Sequence, residues 1–572
     1  MTSKASIRPY LNQAYLLGLL MVAVGLTLSP FLMGMSQFWL AIVWFVDAFT
    51  PPFKGAGGIK TKLSRFFQNK AAVLLVAFYL MHVVGLFWTS DFQYALKDLR
   101  VKLPILVMPF VLSSMEPLDR KRFNIVMLVY VLSVFIATQF SFVSYMRHDY
   151  EDIREISHFI SHIRFCLNIV FCIAIIGWYL YHRGVSTGST TLSKQVPEPV
   201  EGPSSEAIVE GPSQVKNPVP AFGIKSAIDR FLQWFLLLWF VYQIYIFESL
   251  SGYVILAAVV FVSAVYAFLQ WKKGRGWRIA IGVSVVAVIA AIVVVLMVAI
   301  KPMIEVKPVD FNSLEKKTAQ GNYYWHDTVC FPIEDGKYVG LYFNRNELRE
   351  VWSMRSNLPY ESPTANGEHL ETTLARYLTS KDLRKDAEGV MALTDEDIHN
   401  IEQGVANYNN WKHPGLRARL SSTLFEYNLY HRYNNPNGGS LSQRIEFTRA
   451  SFHIIGQHPW FGVGTGDVPQ AFAQTYDEIQ SPLKEEFRFR AHNQYLAIAV
   501  AFGLVGLAFF VFVLLYPWFA SKRNHAYLYM VFLVIILLSM FPEDTLETQA
   551  GATLFAFFVS LLLFACPASR QK

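Results

Sequence analysis

The sequence predicts an all-α polytopic membrane protein of about twelve transmembrane helices, with one large, mostly helical extracytoplasmic domain inserted between the ninth and tenth. Three observations lead there. Of 572 residues, 53% are hydrophobic and only 16% charged, where a soluble chain carries about 25% charged residues. Apolar windows near the roughly 20 residues that span a bilayer recur along the chain. A single long stretch of soluble composition, 301–491, interrupts them. The 46 Phe, 28 Tyr and 13 Trp suit many bilayer boundaries, where amphipathic rings collect.

Taken in order, the expected spans are 13–31, 32–50, 71–90, 101–116, 123–145, 162–182, 230–248, 251–270, 278–300, 493–516, 526–541 and 548–566. The fourth is the weakest, because LPILVMPFVL is short and carries Pro104 and Pro109. TSKASIRPY ahead of the first apolar run resembles a signal peptide, but no small-residue cleavage site follows and a second apolar run comes at once. It therefore reads as the approach to a first span. With the N-terminus inside, the loops KGAGGIKTKLSRFFQNK, DRKRF, WKKGRGWR and SKRNH face the cytoplasm and are basic, while TSDFQYALKD, RHDYEDIREISH and PEDTLE face outward and are mixed or acidic. This is the positive-inside pattern. It accounts for the net charge of +7 without a nucleic-acid partner.

The boundaries that follow are a first transmembrane half at 1–185, a linker at 186–229, spans seven to nine at 230–300, the loop domain at 301–491 and the last three spans at 492–572. The linker, VPEPVEGPSSEAIVEGPSQVKNPVP at its heart, is too poor in apolar residues to build a core and is expected to be disordered. Inside the loop domain KYVGLYF alternates like a short strand. Helical periodicity marks Thr373–Ala387, Leu416–Tyr430 and Ser442–Ile455, and Thr394–Asp397 reads as a capping box opening a helix toward Gly404.

The chemistry-bearing residues are fewer. Gly462-Val-Gly464-Thr-Gly466 lacks the Lys-Ser/Thr of a phosphate loop and reads as a turn closing a helix. Asp395 and Asp397 have the form of a metal-binding pair, yet acidic groups in a helix's first turn are explained by its dipole. His158 and His162, at i, i+4 spacing, read as a polar helix face. Cys166, Cys172, Cys330 and Cys566 spell no disulfide framework or metal cluster, and no metal or cofactor is expected. What stands out is Arg488-Phe-Arg490-Ala-His492-Asn493-Gln494-Tyr495, where the soluble stretch meets the apolar run LAIAVAFGLVGLAFFVFVLL. Ionisable groups at such a boundary are costly unless they have partners or work to do.

Here the chain resembles a known family. A histidine, Asn, nine residues, Gly503, two residues and Gly506 follow the pattern of the bacterial O-antigen ligases. Upstream, Arg444-Ile-Glu-Phe-Thr-Arg-Ala and His458-Pro-Trp-Phe-Gly-Val-Gly-Thr-Gly466 resemble the family's arginine and HPxxGxG segments. RYLTSKDLRKDAEGV and EDTLETQAG resemble the longer-loop members of the Bacteroidetes group. The resemblance implies a GT-C-like, metal-independent glycosyltransferase in the bacterial inner membrane, with cytoplasmic termini and a periplasmic site. It would move a glycan from an undecaprenyl-diphosphate carrier to an acceptor hydroxyl, on a lipid A-core-like glycolipid in lipopolysaccharide biosynthesis. The same scaffold serves polymerases and protein O-oligosaccharyltransferases, and a transporter is the remote alternative.

The residues suit that chemistry. Fixed guanidiniums fork onto a departing diphosphate, and a histidine, which titrates near neutrality, draws the proton from a poor nucleophile. His492 is thus expected as base or diphosphate contact; Arg444, Arg490 and Arg164 as diphosphate partners; and Asn493, Glu543, Asp544 and Glu547 as acceptor-binding or orienting groups. One departure stands. Where many family members carry an arginine at the outer turn between spans seven and eight, this chain has Glu248-Ser-Leu-Ser-Gly252. Either Arg164 or a loop arginine such as Arg355, Arg376, Arg417 or Arg419 replaces it, or the donor is held differently.

Overall fold

The computed structural model describes residues 8–50, 58–147, 153–192, 226–270, 297–298, 300–437, 439–520 and 527–567, without the side chains of 182–192, 226–227 and 270. Most of the linker at 186–229 and of the span expected at 278–300 lies outside these residues. The protein is an all-α polytopic membrane protein. Among the described residues, its only strands are the two-residue pair β1 (Ile333–Glu334) and β2 (Lys337–Tyr338).

Among the described residues, eight helices are long and apolar enough to cross a bilayer. The first two, α1 (Arg8–Leu28) and α2 (Pro30–Phe49), form a hairpin. Ser29 accepts a hydrogen bond from the Leu32 amide (3.2 Å) and Pro30 takes the first helical position, where its missing N–H is no loss. Phe31, Phe38, Ile42, Phe45 and Phe49 form an exposed apolar stripe along α2. Water would penalise such a stripe; hydrocarbon does not.

The short amphipathic α3 (Ile59–Gln68) and α4 (Lys70–Val84) precede α5 (Phe92–Ser114). The α5 helix begins nine residues before the weak fourth span was expected and runs through both prolines. Further spans are α6 (Arg120–Arg147), α7 (His162–Leu192), α8 (Ser226–Phe247) and α9 (Leu250–Gln270). After the loop stretch come α18 (Gln494–Ala520), α19 (Tyr527–Ser539) and α20 (Gln549–Ser560), the last continued by a π-helical turn to Ala565.

The chain divides into two compact units. A membrane unit gathers 1–266, 458–467 and 493–572, and a second unit gathers 267–457 and 468–492. The second unit is built on α10 (Arg345–Arg355), α11 (Leu370–Ser380), α12 (Ala387–Met391), α13 (Asp395–Glu402), α14 (Tyr408–Lys412), α15 (Leu416–Tyr433), α16 (Ser440–Gln457) and α17 (Val468–Glu478). Trp352, Leu374, Tyr377, Leu378, Val390 and Ile401 centre its core, each fully buried. The expected capping box is present: Thr394 and Asp397 exchange both bonds at the start of α13.

Asp397 also accepts from Tyr377 (2.7 Å) and Lys381 (2.7 Å), and these bonds hold its carboxyl at about 2 against the desolvation that would raise it. Asp395 pairs with Arg355 at 3.0 Å. The acidic pair thus serves a helix start. KYVGLYF is strand only at Lys337–Tyr338. The helix expected across 373–387 stops at Ser380, where Asp382 takes a left-handed φ of 59°.

Candidate functional site

In the membrane unit, the segment His458–Asp467 docks into a break in α18. At Gly503 the backbone leaves helical geometry (φ 66°, ψ −167°), and a Cβ there would lie 2.3 Å from the Trp460 carbonyl. Gly462, also at positive φ, passes so close to Ala501 that a Cβ would meet its carbonyl carbon at 2.4 Å. Only glycine accepts both the conformation and the approach. Four backbone bonds knit the joint: Val463 N–H to Val500 O (3.0 Å), Gly464 N–H to Ala501 O (2.9 Å), Leu504 N–H to Pro459 O (2.8 Å) and Val505 N–H to Trp460 O (3.4 Å). Farther along, Thr465 donates to the His82 carbonyl at 2.7 Å. Asp467 accepts from the Ser90 and Asp91 amides (2.9 and 2.8 Å) just before α5, where helix polarity favours a carboxylate. The glycine-rich segment is therefore a joint, and the turn reading of Gly462–Gly466 stands.

Asn493 caps α18. Its Oδ1 accepts from the Leu496 amide (3.0 Å), and its amide donates to the Phe541 carbonyl (3.0 Å). Gln494 is fully buried and clamps the loop that follows α19: its Oε1 accepts from the Leu546 amide (2.6 Å), and its Nε2 donates to Glu547 (3.1 Å). Glu547 in turn accepts from Lys102 at 2.7 Å, and Lys102 donates to Asp98 at 2.5 Å. Lys102 is 2% exposed. This buried acid–base–acid group orients the loop that also carries Glu543 and Asp544. Sequence reading picked out Glu547 but missed Asp98 and Lys102. Their signal was an oppositely charged i, i+4 pair beside an apolar run, and it was obscured by placing the helix start at 101.

Arg164 lies in the first turn of α7 and reaches Glu543 at 3.6 Å, with the two side chains 14% and 13% exposed. It also donates to Ser161 (3.1 Å). His158 and His162 do not share a helix face. The helix begins at His162, whereas His158 sits in the preceding loop with its Nδ1 2.9 Å from the Ile156 carbonyl. His162 packs its ring 5.0 Å from that of Phe247.

In the second unit, His492 ends the extended segment that follows the short 3-10 turn Glu485–Phe487. Two bonds pin this segment to α17: Arg488 to Asp477 (2.7 Å) and Tyr476 to the Phe489 carbonyl (2.6 Å). Arg488 is thus structural. His492 has a left-handed φ of 44°, a conformation rare outside glycine and one that clusters at functional sites. Its half-buried ring lies 5.4 Å from Phe447 and 6.1 Å from Phe489. Phe447 sits on α16 three residues after Arg444, on the same helix face. The sequence-predicted arginine and histidine are thereby brought to one neighbourhood through that ring. Arg490, half-buried, belongs to the same segment as His492.

The other face of α16 is anchored by Glu446, which is fully buried and accepts from Tyr430 (2.5 Å) and Ser481 (2.6 Å). Burial, with this bond second, pushes the Tyr430 hydroxyl up to about 12. Glu446 was also missed. Its position beside Arg444 in a polar helix gave no hint of burial.

Among the loop arginines proposed as substitutes, Arg376 is committed to a fork on Glu334 (2.8 and 2.9 Å) under the Phe425 ring. Arg355 is committed to the Leu393 carbonyl and Asp395. Both hold the second unit together. Arg417 is exposed and Arg419 half-buried on α15.

The architecture defines a multi-pass, all-α membrane protein in which a glycine joint and an ion-paired loop flank the entry to one broken helix. Residues 418–511 match the family described as O-antigen ligase. The match takes in Arg444, the joint, His492 and Gly503, and it supports membership of that family and a ligase- or polymerase-like glycosyltransferase role in surface-glycan biosynthesis. No curated protein matches the chain.

Proposed function

We propose that the protein transfers a glycan from an undecaprenyl-diphosphate carrier to an acceptor hydroxyl at the periplasmic face of the bacterial inner membrane. In the proposed step the acceptor oxygen bonds to the anomeric carbon while the bond from that carbon to the diphosphate breaks. The diphosphate leaves with the electron pair, and the hydroxyl proton passes to His492. Arg444 and Arg490 meet the developing charge on the phosphates, where planar guanidiniums fork onto oxygen without losing their own charge. The membrane unit offers Arg164 as a third diphosphate contact, with Glu543, Asp544 and Asn493 as groups that orient the acceptor. The guanidiniums supply the charge term, so no metal is assigned to the reaction.

The observation that carries this reading is the neighbourhood of His492 and Arg444 through Phe447, inside the stretch that matches the O-antigen ligase family. A strained histidine held beside an arginine-bearing helix is an expensive arrangement for structure alone. The test is to supply purified protein with labelled carrier-linked glycan and a lipid A-core acceptor. Label moving onto the glycolipid supports the ligase reading. Label lengthening the carrier-linked chain or moving to protein would replace it, and label staying on the carrier with every acceptor class would overturn glycan transfer.

A further inference from the structure

The membrane unit carries a second feature at the end where α3 meets α4, the end whose loops the sequence predicts to be cytoplasmic. A cavity of about 570 Å³ opens there. Its polar rim includes Arg65, Gln68, Asn69 and Lys70, and its apolar wall includes Tyr516 and Phe564. We propose that this cavity holds an anionic phospholipid, with the phosphate at Arg65 and Lys70 and an acyl chain along Tyr516 and Phe564.

Of the three cations on α3, Lys62 and Arg65 are used differently. Lys62 is 2% exposed, pairs with Asp47 at 2.6 Å and lies 5.7 Å from the centre of the Trp44 ring. It belongs to the fold. Arg65, one turn on, lines the cavity and, among the described residues, pairs with Glu116 at 3.7 Å, the side chains 35% and 57% exposed. Exposed pairs of that length add little, so the guanidinium remains available to a phosphate. Lys70, exposed, occupies the first position of α4, and Asn69 caps that helix by accepting from the Ala72 amide (3.3 Å). The positive end of the α4 dipole therefore points to the same rim.

The helix itself suits an interface. Phe66 is buried while Phe67 and Ile59 are exposed beside Lys60 and Arg65, so α3 offers apolar rings and cations together at one end of the bundle. Helices of this make-up lie in the headgroup layer, and basic recesses between spans take anionic headgroups. A soluble anion would use the rim and leave the Tyr516–Phe564 wall wet. A lipid fills both, which decides for the lipid.

The test is native mass spectrometry of the full-length protein released from micelles containing phosphatidylglycerol or phosphatidylcholine. Wild type is expected to retain phosphatidylglycerol in preference. Arg65→Gln and Lys70→Gln are each expected to weaken retention roughly fivefold, the effect of one cation near a lipid surface. Lys121→Gln, an exposed cation outside the cavity, should leave it unchanged. Ala71→Trp, which fills the cavity, should abolish it. Because Lys70 is exposed, Lys70→Gln keeps the test decisive if another variant fails to fold. Equal retention of both lipids, wild-type retention by Lys70→Gln, or displacement of the lipid by millimolar inorganic phosphate would each overturn the proposal.

Discussion

Arg164 and Glu543 face each other at 3.6 Å within the membrane unit, each nearly buried. An arginine held this way is ordered before any ligand arrives, which lowers the cost of binding a diphosphate. Arg164→Ala is expected to reduce glycan transfer about 100-fold and Arg164→Lys about tenfold, because an ammonium keeps the charge but loses the fork. Initial-rate assays on membranes with matched protein levels check this. Rates within twofold of wild type for both variants would remove Arg164 from the reaction.

The Asp98–Lys102–Glu547 group predicts a different signature. Removing one member of a buried ion network strands the others, at a cost of about 3–5 kcal/mol. Lys102→Met should therefore lower the unfolding temperature sharply and loosen the loop after α19. Adding Asp98→Asn and Glu547→Gln should recover most of that loss, since no stranded charge remains. Thermal unfolding in detergent distinguishes the two. Equal losses in the single and triple variants would show that packing, not charge, is what Lys102 contributes.

The joint at Gly503 predicts a backbone effect. A side chain there must occupy a conformation that costs about 1–3 kcal/mol and push into the Trp460 carbonyl. Gly503→Ala should be poorly inserted or rapidly proteolysed between 458 and 467, while Gly177→Ala, where a Cβ meets open space, should behave as wild type. Limited proteolysis of the two side by side is the check.

The second unit carries a pH-dependent liability. Lys385 is 4% exposed, and its burial, reinforced by Lys337, lowers its pKa from 10.5 to about 8. Between those values the unfolded chain holds the proton that the folded one releases, so stability rises as pH increases from about 8 to 10.5. Below about 8 the penalty is constant, about 3 kcal/mol from the size of the shift. Lys385→Met should stabilise this unit at pH 7 and flatten the alkaline rise. Chemical denaturation of wild type and variant at pH 7 and pH 10 checks both features. A variant no more stable than wild type at pH 7 would contradict the account.

Much of this was legible because bilayer-spanning helices announce themselves by length and composition, and the Thr394–Asp397 capping box by local chemistry. Other features were hidden for physical reasons. The run LAIAVAFGLVGLAFF is uniformly apolar, so nothing in it marks Gly503 as a break; that depends on a segment some forty residues upstream lying against it. The prolines of α5 argued for a short span, yet both are buried inside a 23-residue helix, and its charged first half became visible only with the helix start. His158 and His162 had helical spacing without a helix between them. That Phe447, three residues after Arg444, lies beside His492 depends on the packing of segments distant in sequence, so no local pattern marks it.

The central claim is that His492 and Arg444 act on one carrier-linked glycan. Its most direct test is transfer of labelled glycan by purified wild type, His492→Ala and Arg444→Ala, each verified as folded and membrane-inserted. The account predicts that both variants lose at least about 100-fold in rate, the scale of a missing base or charge-stabilising donor, and that Arg444→Lys is also impaired. Wild-type rates from either alanine variant would contradict it.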